Sequence, residues 1–430
     1  MTLYNFIFKS KLLVLALFLF TTNTLSAQEQ IKEYVQANTL QISTIEPDTS
    51  GFSDLVGIGQ AIGDAKIVMM GEQDHGDAPT FLAKTRLIKY LHEKKGFNVV
   101  AFENDFFSTN YNWAFVKLGK LSVDSFIKKN ISATWADCTA CDPLFKHYLP
   151  STIESNNPLE ITGFDMYMNT KKLLPMIDSI MKNLQLPLTQ ASEYDSQILP
   201  KISLWYKNTK DSVANKKVND YLVLIKSQLL TKLSKDDFWV RCVDNLIANN
   251  TKFNNWKQDI IKDVNTRDRQ MAANLKWLCE VKYPNSKIIV WAHNYHISKY
   301  AGHYPERFLN KQITMGSIFT EDTLMMQKTY ILGFTSYEGT AGRLYFGKIY
   351  KVDKPKTNSF ENWINRDYNF AFVDFKKYNT ANPLGSEAFY MSGATKGNRY
   401  HTSQHGVWNR IFDGVFYIKE MYPCSSAETP

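Results

Sequence analysis

Two four-residue apolar runs, Ile67-Val68-Met69-Met70 and Val99-Val100-Ala101-Phe102, flank a segment of helical length that opens on the turn Gly71-Glu72-Gln73-Asp74-His75-Gly76. Each run is apolar at every position instead of alternating, which is how strands of a parallel sheet, buried on both faces, read. The stretch from Pro79 to Lys94 has helical periodicity, and Gly96 supplies its stop. Strand Lys66 to Met70, helix and strand Asn98 to Phe102 therefore form one strand–helix–strand unit with a right-handed crossover. A third strand is expected from Leu159 to Phe164, ending in Asp165, and a fourth from Lys287 to Ala292.

In an open parallel sheet, ligands bind in the crevice outside the carboxyl ends of the strands. Glu72 and His75 follow the first strand there, Glu103 follows the second, and His293 and His296 follow Ile288-Ile289-Val290-Trp291-Ala292. That edge is the expected active site.

The fold class read from this pattern is α/β, a mainly parallel sheet flanked by helices. Asp54 to Ile62 reads as a short helix with Ser53 as its N-cap. From Lys171 to Tyr283 the texture is helical and charge-rich, as expected of an inserted helical subdomain whose last helix opens near Asn265-Thr266. Beyond His296 short strand-like runs return at Tyr330–Phe334, Arg343–Phe346, Phe370–Val373 and Gly414–Ile418. They predict a smaller C-terminal α+β portion that covers or extends the sheet. The chain thus divides into residues 1–27, 28–170 (first part of the core), 171–283 (helical insertion) and 284–430 (second part of the core with the C-terminal strands).

Residues 1–27 read as a secretory signal peptide. Lys9 and Lys11 precede an apolar stretch, Leu12 to Phe20, too short to span a bilayer, and Leu25-Ser26-Ala27 ends in a small residue suited to cleavage. The expectation is a periplasmic or secreted protein with no stable membrane insertion once the leader is cut. Losing Lys9 and Lys11 takes the formal charge from +8 to +6. With no Lys/Arg stripe or nucleic-acid module, nucleic acid is not an expected partner. Five cysteines, at 138, 141, 242, 279 and 424, are scattered; Cys138-Thr139-Ala140-Cys141 reads as one local disulfide or as free thiols, and Cys242 and Cys279 as core residues.

The chain lacks a Gly-x-Ser-x-Gly elbow, a His-Glu-x-x-His helix, a phosphate-cradling Gly-x-x-x-x-Gly-Lys-Ser/Thr loop and a Gly-x-Gly-x-x-Gly turn, which counts against four large enzyme classes. What remains is His and Glu at strand ends. A neutral imidazole near pH 7 can take a proton from water, and a carboxylate on its other nitrogen fixes the tautomer and raises its basicity. His75, with Glu72 or Glu103, fits that role. Lys84 lies among Phe81, Ile88 and Leu91 on the apolar stripe of the first helix, where a charge needs a carboxylate or anionic ligand. His92, His147, His303, His401 and His405 have no strand-end context and read as surface or packing histidines.

Together these residues resemble the erythromycin esterase family. The matching pieces are Gly71-Glu72-x-x-His75-Gly76, the helix with Lys84, Arg86 and Leu87-Ile88-x-Tyr90-Leu91, Phe97-x-x-Val100-Ala101-Phe102-Glu103, Gly163-Phe164-Asp165-Met166, Arg267-Asp268-x-x-Met271-Ala272-x-Asn274 and Val290-Trp291-Ala292-His293-Asn294-x-His296. The resemblance implies hydrolysis of a carboxylic ester or macrolactone by His-activated water, without an acyl-enzyme and without a cofactor. It puts the general base on His75, its partner acid on Glu72, the second-strand acid on Glu103, the paired histidines on His293 and His296, and the basic helix position on Lys84. Asp77-Ala78-Pro79 departs from the usual family residues. On this reading His293, His296 and Lys84 surround the developing oxyanion, and the partner is a small ester or lactone. Two alternatives use the same cluster: a hydrolase in which two His and two Glu hold Zn²⁺ or Mn²⁺, and a non-enzymatic binder of haem, metal or another small ligand.

Overall fold

The computed structural model describes residues 28–49, 51–204, 212–255, 260–299, 312–393 and 401–426. The expected leader, residues 1–27, and His303 lie outside them. Its centre is a nine-stranded sheet. The strands are β1 Leu40–Ile42, β2 Ile67–Met70, β3 Val99–Asp105, β4 Glu160–Asp165, β5 Ile288–Trp291, β6 Thr329–Arg343, β7 Phe346–Lys351, β8 Phe370–Asp374 and β11 Gly414–Met421, while β9 Phe389–Ser392 and β10 Ser403–Gly406 pair separately. Across the sheet the order is β1-β8-β11-β6-β2-β5-β3-β4, with β7 on β6. The six strands from β11 to β4 run parallel; β8 is antiparallel to both β11 and β1. The fold is thus α/β with a mainly parallel sheet.

The apolar runs sit at its middle because they can be buried on both faces. Ile67 and Met69 of β2, Val99 and Ala101 of β3, and Ile288 and Val290 of β5 face one core. Val68 and Met70, Val100 and Phe102, and Ile289 and Trp291 face the other. The first core is closed by long helices, Thr170–Asn183, Ser212–Leu229, Phe238–Asn255 and Ile260–Trp277, which supply Leu173, Leu222, Val243 and Leu275. The last of these is already helical at Ile260, ahead of the expected Asn265-Thr266. The second core takes Phe81, Leu87, Ile88 and Leu91 from the crossover helix Ala78–Lys95. That helix ends on Gly96 at φ +72°, a left-handed position glycine adopts without steric cost.

The C-terminal strands extend the sheet, and β6 lies directly beside β2. Two expectations fail here. Arg343 to Phe346 is the turn of the β6–β7 hairpin, with Arg343 paired to Phe346 and Tyr345 at φ +66°. The turn Leu344-Tyr345 contains none of the Gly, Asn or Asp that announces such a connection, so it read as strand. Ser53 begins a 3-10 turn, Ser53–Leu55, instead of capping a helix; the N-cap position is Phe52, with no side-chain cap. Among the described residues no helix is long and apolar enough to cross a membrane.

Candidate active site

The parallel register levels the strand ends: Met70 of β2 pairs with Trp291 of β5, and Trp291 with Phe102 of β3. Residues just beyond these three are therefore neighbours. Between β3 and β4 the register shifts after Phe102, so Glu103 and Asn104 bulge out of the ladder before Asp105 pairs with Asp165. A bulge re-aims its side chains. Here it frees Glu103 to reach the edge of β5, where its Oε2 accepts the His293 N–H at 3.1 Å.

On the β2 side, His75 Nδ1 lies 2.6 Å from Glu72 Oε1, and the other carboxylate oxygen of Glu72 accepts from Lys84 Nζ at 2.6 Å. Lys84 is fully buried, also donates to the Ala292 carbonyl at 3.4 Å and stands 4.5 Å over the Trp291 ring. Burial pulls its ammonium below the ordinary lysine range, and Glu72 opposes that shift. Its charge thus ends on Glu72 beneath the sheet edge. The His75 side chain is 21 % exposed, and the rings of Trp135 and His293 meet it edge-on with centroids 5.6 and 5.5 Å away. Its Nε2 has no hydrogen-bond partner among the described residues.

On the β3–β4 side the charges close on each other. Arg267, from the helix Ile260–Trp277, donates through Nη2 to Glu103 Oε1 at 2.6 Å and forks onto Asp165 at 2.7 and 3.2 Å. Its Nη1 is 3.0 Å from His296 Nε2, which also lies 3.3 Å from Glu103 Oε1. His296 Nδ1 faces Asp268 Oδ1 at 2.8 Å, and that oxygen also accepts the Met315 N–H. Burial alone would raise the Glu103 carboxyl; His296, Arg267 and His75 outweigh it and hold the group well below the usual carboxylate range. Sequence reading gave Arg267, Asp165 and Asp268 no role, although all three stand in the motifs quoted above.

His293 is placed between the two groups and serves the backbone. Its Nδ1 accepts from the Tyr295 N–H at 3.0 Å and its Nε2 donates to the Gln73 carbonyl at 2.6 Å. Asn294 laces the edge further, exchanging hydrogen bonds with the Phe334 backbone on β6 at 2.7 and 3.0 Å. The structure thus brings Glu72, His75, Lys84, Glu103, His293 and His296 to one edge, with both His293 ring nitrogens and two of the three Lys84 N–H groups engaged by protein partners. Among the described residues no three His, Cys, Asp or Glu side chains are grouped so as to hold a metal ion.

The walls come from distant sequence. Cys424 donates its N–H to the Gly76 carbonyl at 2.8 Å, and Gly76 itself lies so close to Gly342 that a Cβ there would stand 1.9 Å from the Gly342 oxygen. The disulfide is Cys138–Cys424, which corrects the expected local pairing of Cys138 with Cys141. Cys141 is instead a free thiol in the core, and burial pushes it well above the ordinary thiol range. The bridge joins the segment after Trp135 to the segment on the His75 turn. His401, expected as a surface or packing residue, is buried with Nε2 3.1 Å from Asp77 Oδ2. His92 is a packing residue, held between Tyr148 and the Asn157 carbonyl.

Residues 92–421 match the family model described as erythromycin esterase. The putative hydrolase YbfO of Bacillus subtilis is 27 % identical over 410 residues, covering 88 % of this chain and 89 % of that one. A Bacillus cereus protein of known structure superposes with TM-score 0.70 at 18 % identity over 93 % of this chain and 99 % of its own. A mutant of erythromycin esterase EreC in its open conformation gives 0.61 at 17 % identity, over 90 % and 98 %. At such identities the two structural likenesses speak to the fold alone.

Proposed function

The chain belongs to the erythromycin esterase family, and from that premise we propose that it is a hydrolase that cleaves a carboxylic ester or lactone with water activated by His75. The observation that carries this reading is one imidazole with Nδ1 held by Glu72, Glu72 held in turn by buried Lys84, and Nε2 left without a hydrogen-bond partner among the described residues on a partly exposed ring. With its proton kept on Nδ1 by the carboxylate, the ring presents the Nε2 lone pair outward, as a general base requires.

The water oxygen bonds to the ester carbonyl carbon while its proton passes to His75 Nε2. The tetrahedral oxyanion then collapses, the C–O bond to the alcohol breaks, and the alkoxide recovers the proton from His75. No acyl-enzyme is needed, since His75 acts on water and not on a side-chain nucleophile. Arg267, 16 % exposed, is the cation best suited to the oxyanion, because Nη1 carries an N–H beyond its contact with His296. Donors fixed before the reaction give the largest stabilisation, and Glu103 and Asp165 fix this one. Opening of a macrolactone is one reaction within this class. We also propose that the protein acts in the periplasm or outside the cell; the support is the Cys138–Cys424 disulfide, of a kind that persists in an oxidising compartment.

Purified protein assayed on p-nitrophenyl esters and on simple and macrocyclic lactones tests the reading. The parent turns over at least one, and folded His75→Asn loses at least about 10²-fold in kcat/KM, the low end for a lost general base. Parent-like turnover by that variant, or no turnover by the parent, ends the proposal.

A further inference from the structure

Behind the His75 turn lies a second group of polar side chains that the hydrolytic step does not use. The Asp74 N–H donates to Asp77 Oδ2 at 2.9 Å, and the His75 N–H donates to Asp74 Oδ1 at 2.8 Å. The turn is therefore folded around its own two carboxylates. Both are buried, and two like charges within one turn repel unless each is matched. The match comes from the C-terminal portion: Arg343 on Asp74 Oδ1, and Tyr350 Oη between Asp74 Oδ2 at 3.2 Å and His401 Nδ1 at 2.9 Å. His401 Nε2 completes the circuit on Asp77 Oδ2, across 324 positions of sequence.

We propose that His401 and Asp77 form a second histidine–carboxylate pair whose task is to position the catalytic turn, so that His401 is a positioning residue for His75. The proposal rests on the hydrolytic reading of His75. His401 stands two hydrogen bonds from the backbone of Asp74, the residue before the one it positions: His401 to Asp77, and Asp77 to the Asp74 N–H. The turn has little freedom to compensate, because Gly76 is pressed against Gly342 and bonded through its carbonyl to Cys424. Burial pushes the Asp77 carboxyl up and His401 opposes that shift, as expected of a pair that shares its polarity within the fold.

The experiment compares His401→Phe, which removes both ring nitrogens, with His401→Gln, which restores an N–H near the Nε2 position. The readouts are kcat and KM on the best p-nitrophenyl ester and the ring ¹⁵N signals of His75 in histidine-labelled protein, assigned with His75→Asn. Expected is a fall in kcat of about tenfold or more for the Phe variant with KM within about twofold, since sub-ångström misplacement of a base is costly. The His75 ring signals shift with it, and the Gln variant returns both readouts most of the way. A folded Phe variant with parent kcat and parent signals overturns the proposal; so does a Gln variant no better than Phe. If the Phe variant does not fold, Tyr350→Phe decides: a smaller kcat loss with shifted His75 signals supports the circuit, and parent behaviour in both overturns it. Absence of ester turnover in the parent would end the hydrolytic reading alone, and the His75 signals would still judge the pair.

Discussion

Two charged groups share the carboxyl edge of this sheet, built from the same kinds of side chain. On the β2 side, Glu72 stands between one buried lysine and one imidazole, and the imidazole keeps Nε2 without a hydrogen-bond partner among the described residues. On the β3–β4 side, three carboxylates, one guanidinium and one imidazole pair with one another. The first arrangement can accept a proton without breaking any contact shown here. The second can change protonation only by giving up an ion pair in a buried place. Availability, more than residue type, therefore separates the candidate base from its electrostatic frame, and variants on the two sides should fail differently.

The largest effect on folding is expected on the closed side. Arg267→Met leaves Glu103 and Asp165 facing each other with their shared cation gone, and breaking such a buried pair costs about 5 kcal/mol at the upper end. Chemical denaturation at neutral pH, followed by both tryptophan fluorescence and circular dichroism, measures it. A variant within about 1 kcal/mol of the parent would mean that water already screens this group.

On the β2 side the effect is smaller in stability and larger in turnover. Lys84→Met leaves Glu72 with only His75, so stability falls by about 3 kcal/mol and kcat falls with it. Glu72→Gln combined with Lys84→Met removes both charges and should recover most of the stability, while turnover stays low because His75 has lost its carboxylate. A double variant that recovers turnover would place Glu72 outside the catalytic arrangement.

Acid exposes the same contrast more gently. Glu103 is held well below the usual carboxylate range in the folded protein, so its contribution to stability is present above its unfolded value, about 4.3, and is lost as pH falls toward the lower folded value. Melting followed between pH 7 and 3 should show an acid limb that is shallower in Glu103→Gln. Equal limbs in both proteins would assign the acid sensitivity to other carboxylates.

How much of this was legible follows from distance along the chain. β2, β3 and β5 were plain because a strand buried on both faces must be apolar throughout, and the residues just past their ends came with them. Most of β6 was hidden: from Ser336 to Arg343 it runs through Glu338, Gly339 and Thr340 and changes partner from β11 to the hairpin strand β7 at Thr340, so its pattern carries no single buried face. Arg267 was hidden differently. Arg267-Asp268-Arg269 has the look of a solvated helix face, with no apolar residue to mark a buried side, and only the approach of that helix to β4 turns it inward. The disulfide, with a separation of 286, and the Asp77–His401 contact have no local signature at all, because cysteine and histidine spacing does not encode connectivity across such lengths.

The smallest expected effect is none. A bound zinc would lower the pKa of water and supply the nucleophile directly, and the His and Glu cluster at this edge contains ligand types suited to it. The side chains are committed elsewhere, however. His293 spends both ring nitrogens on backbone, Glu103 spends its oxygens on Arg267 and the His293 amide, and Glu72 is divided between His75 and Lys84. Freeing three of them for one ion would strand Lys84 as a buried cation with no carboxylate and leave Arg267 on Asp165 alone, losses that count against binding the ion. Dialysis against a strong chelator should therefore leave ester turnover unchanged, and added Zn²⁺ or Mn²⁺ should not raise it. Loss on chelation with recovery at one equivalent of either ion would show that the ion rearranges this edge, and the roles assigned to its two sides would have to be exchanged.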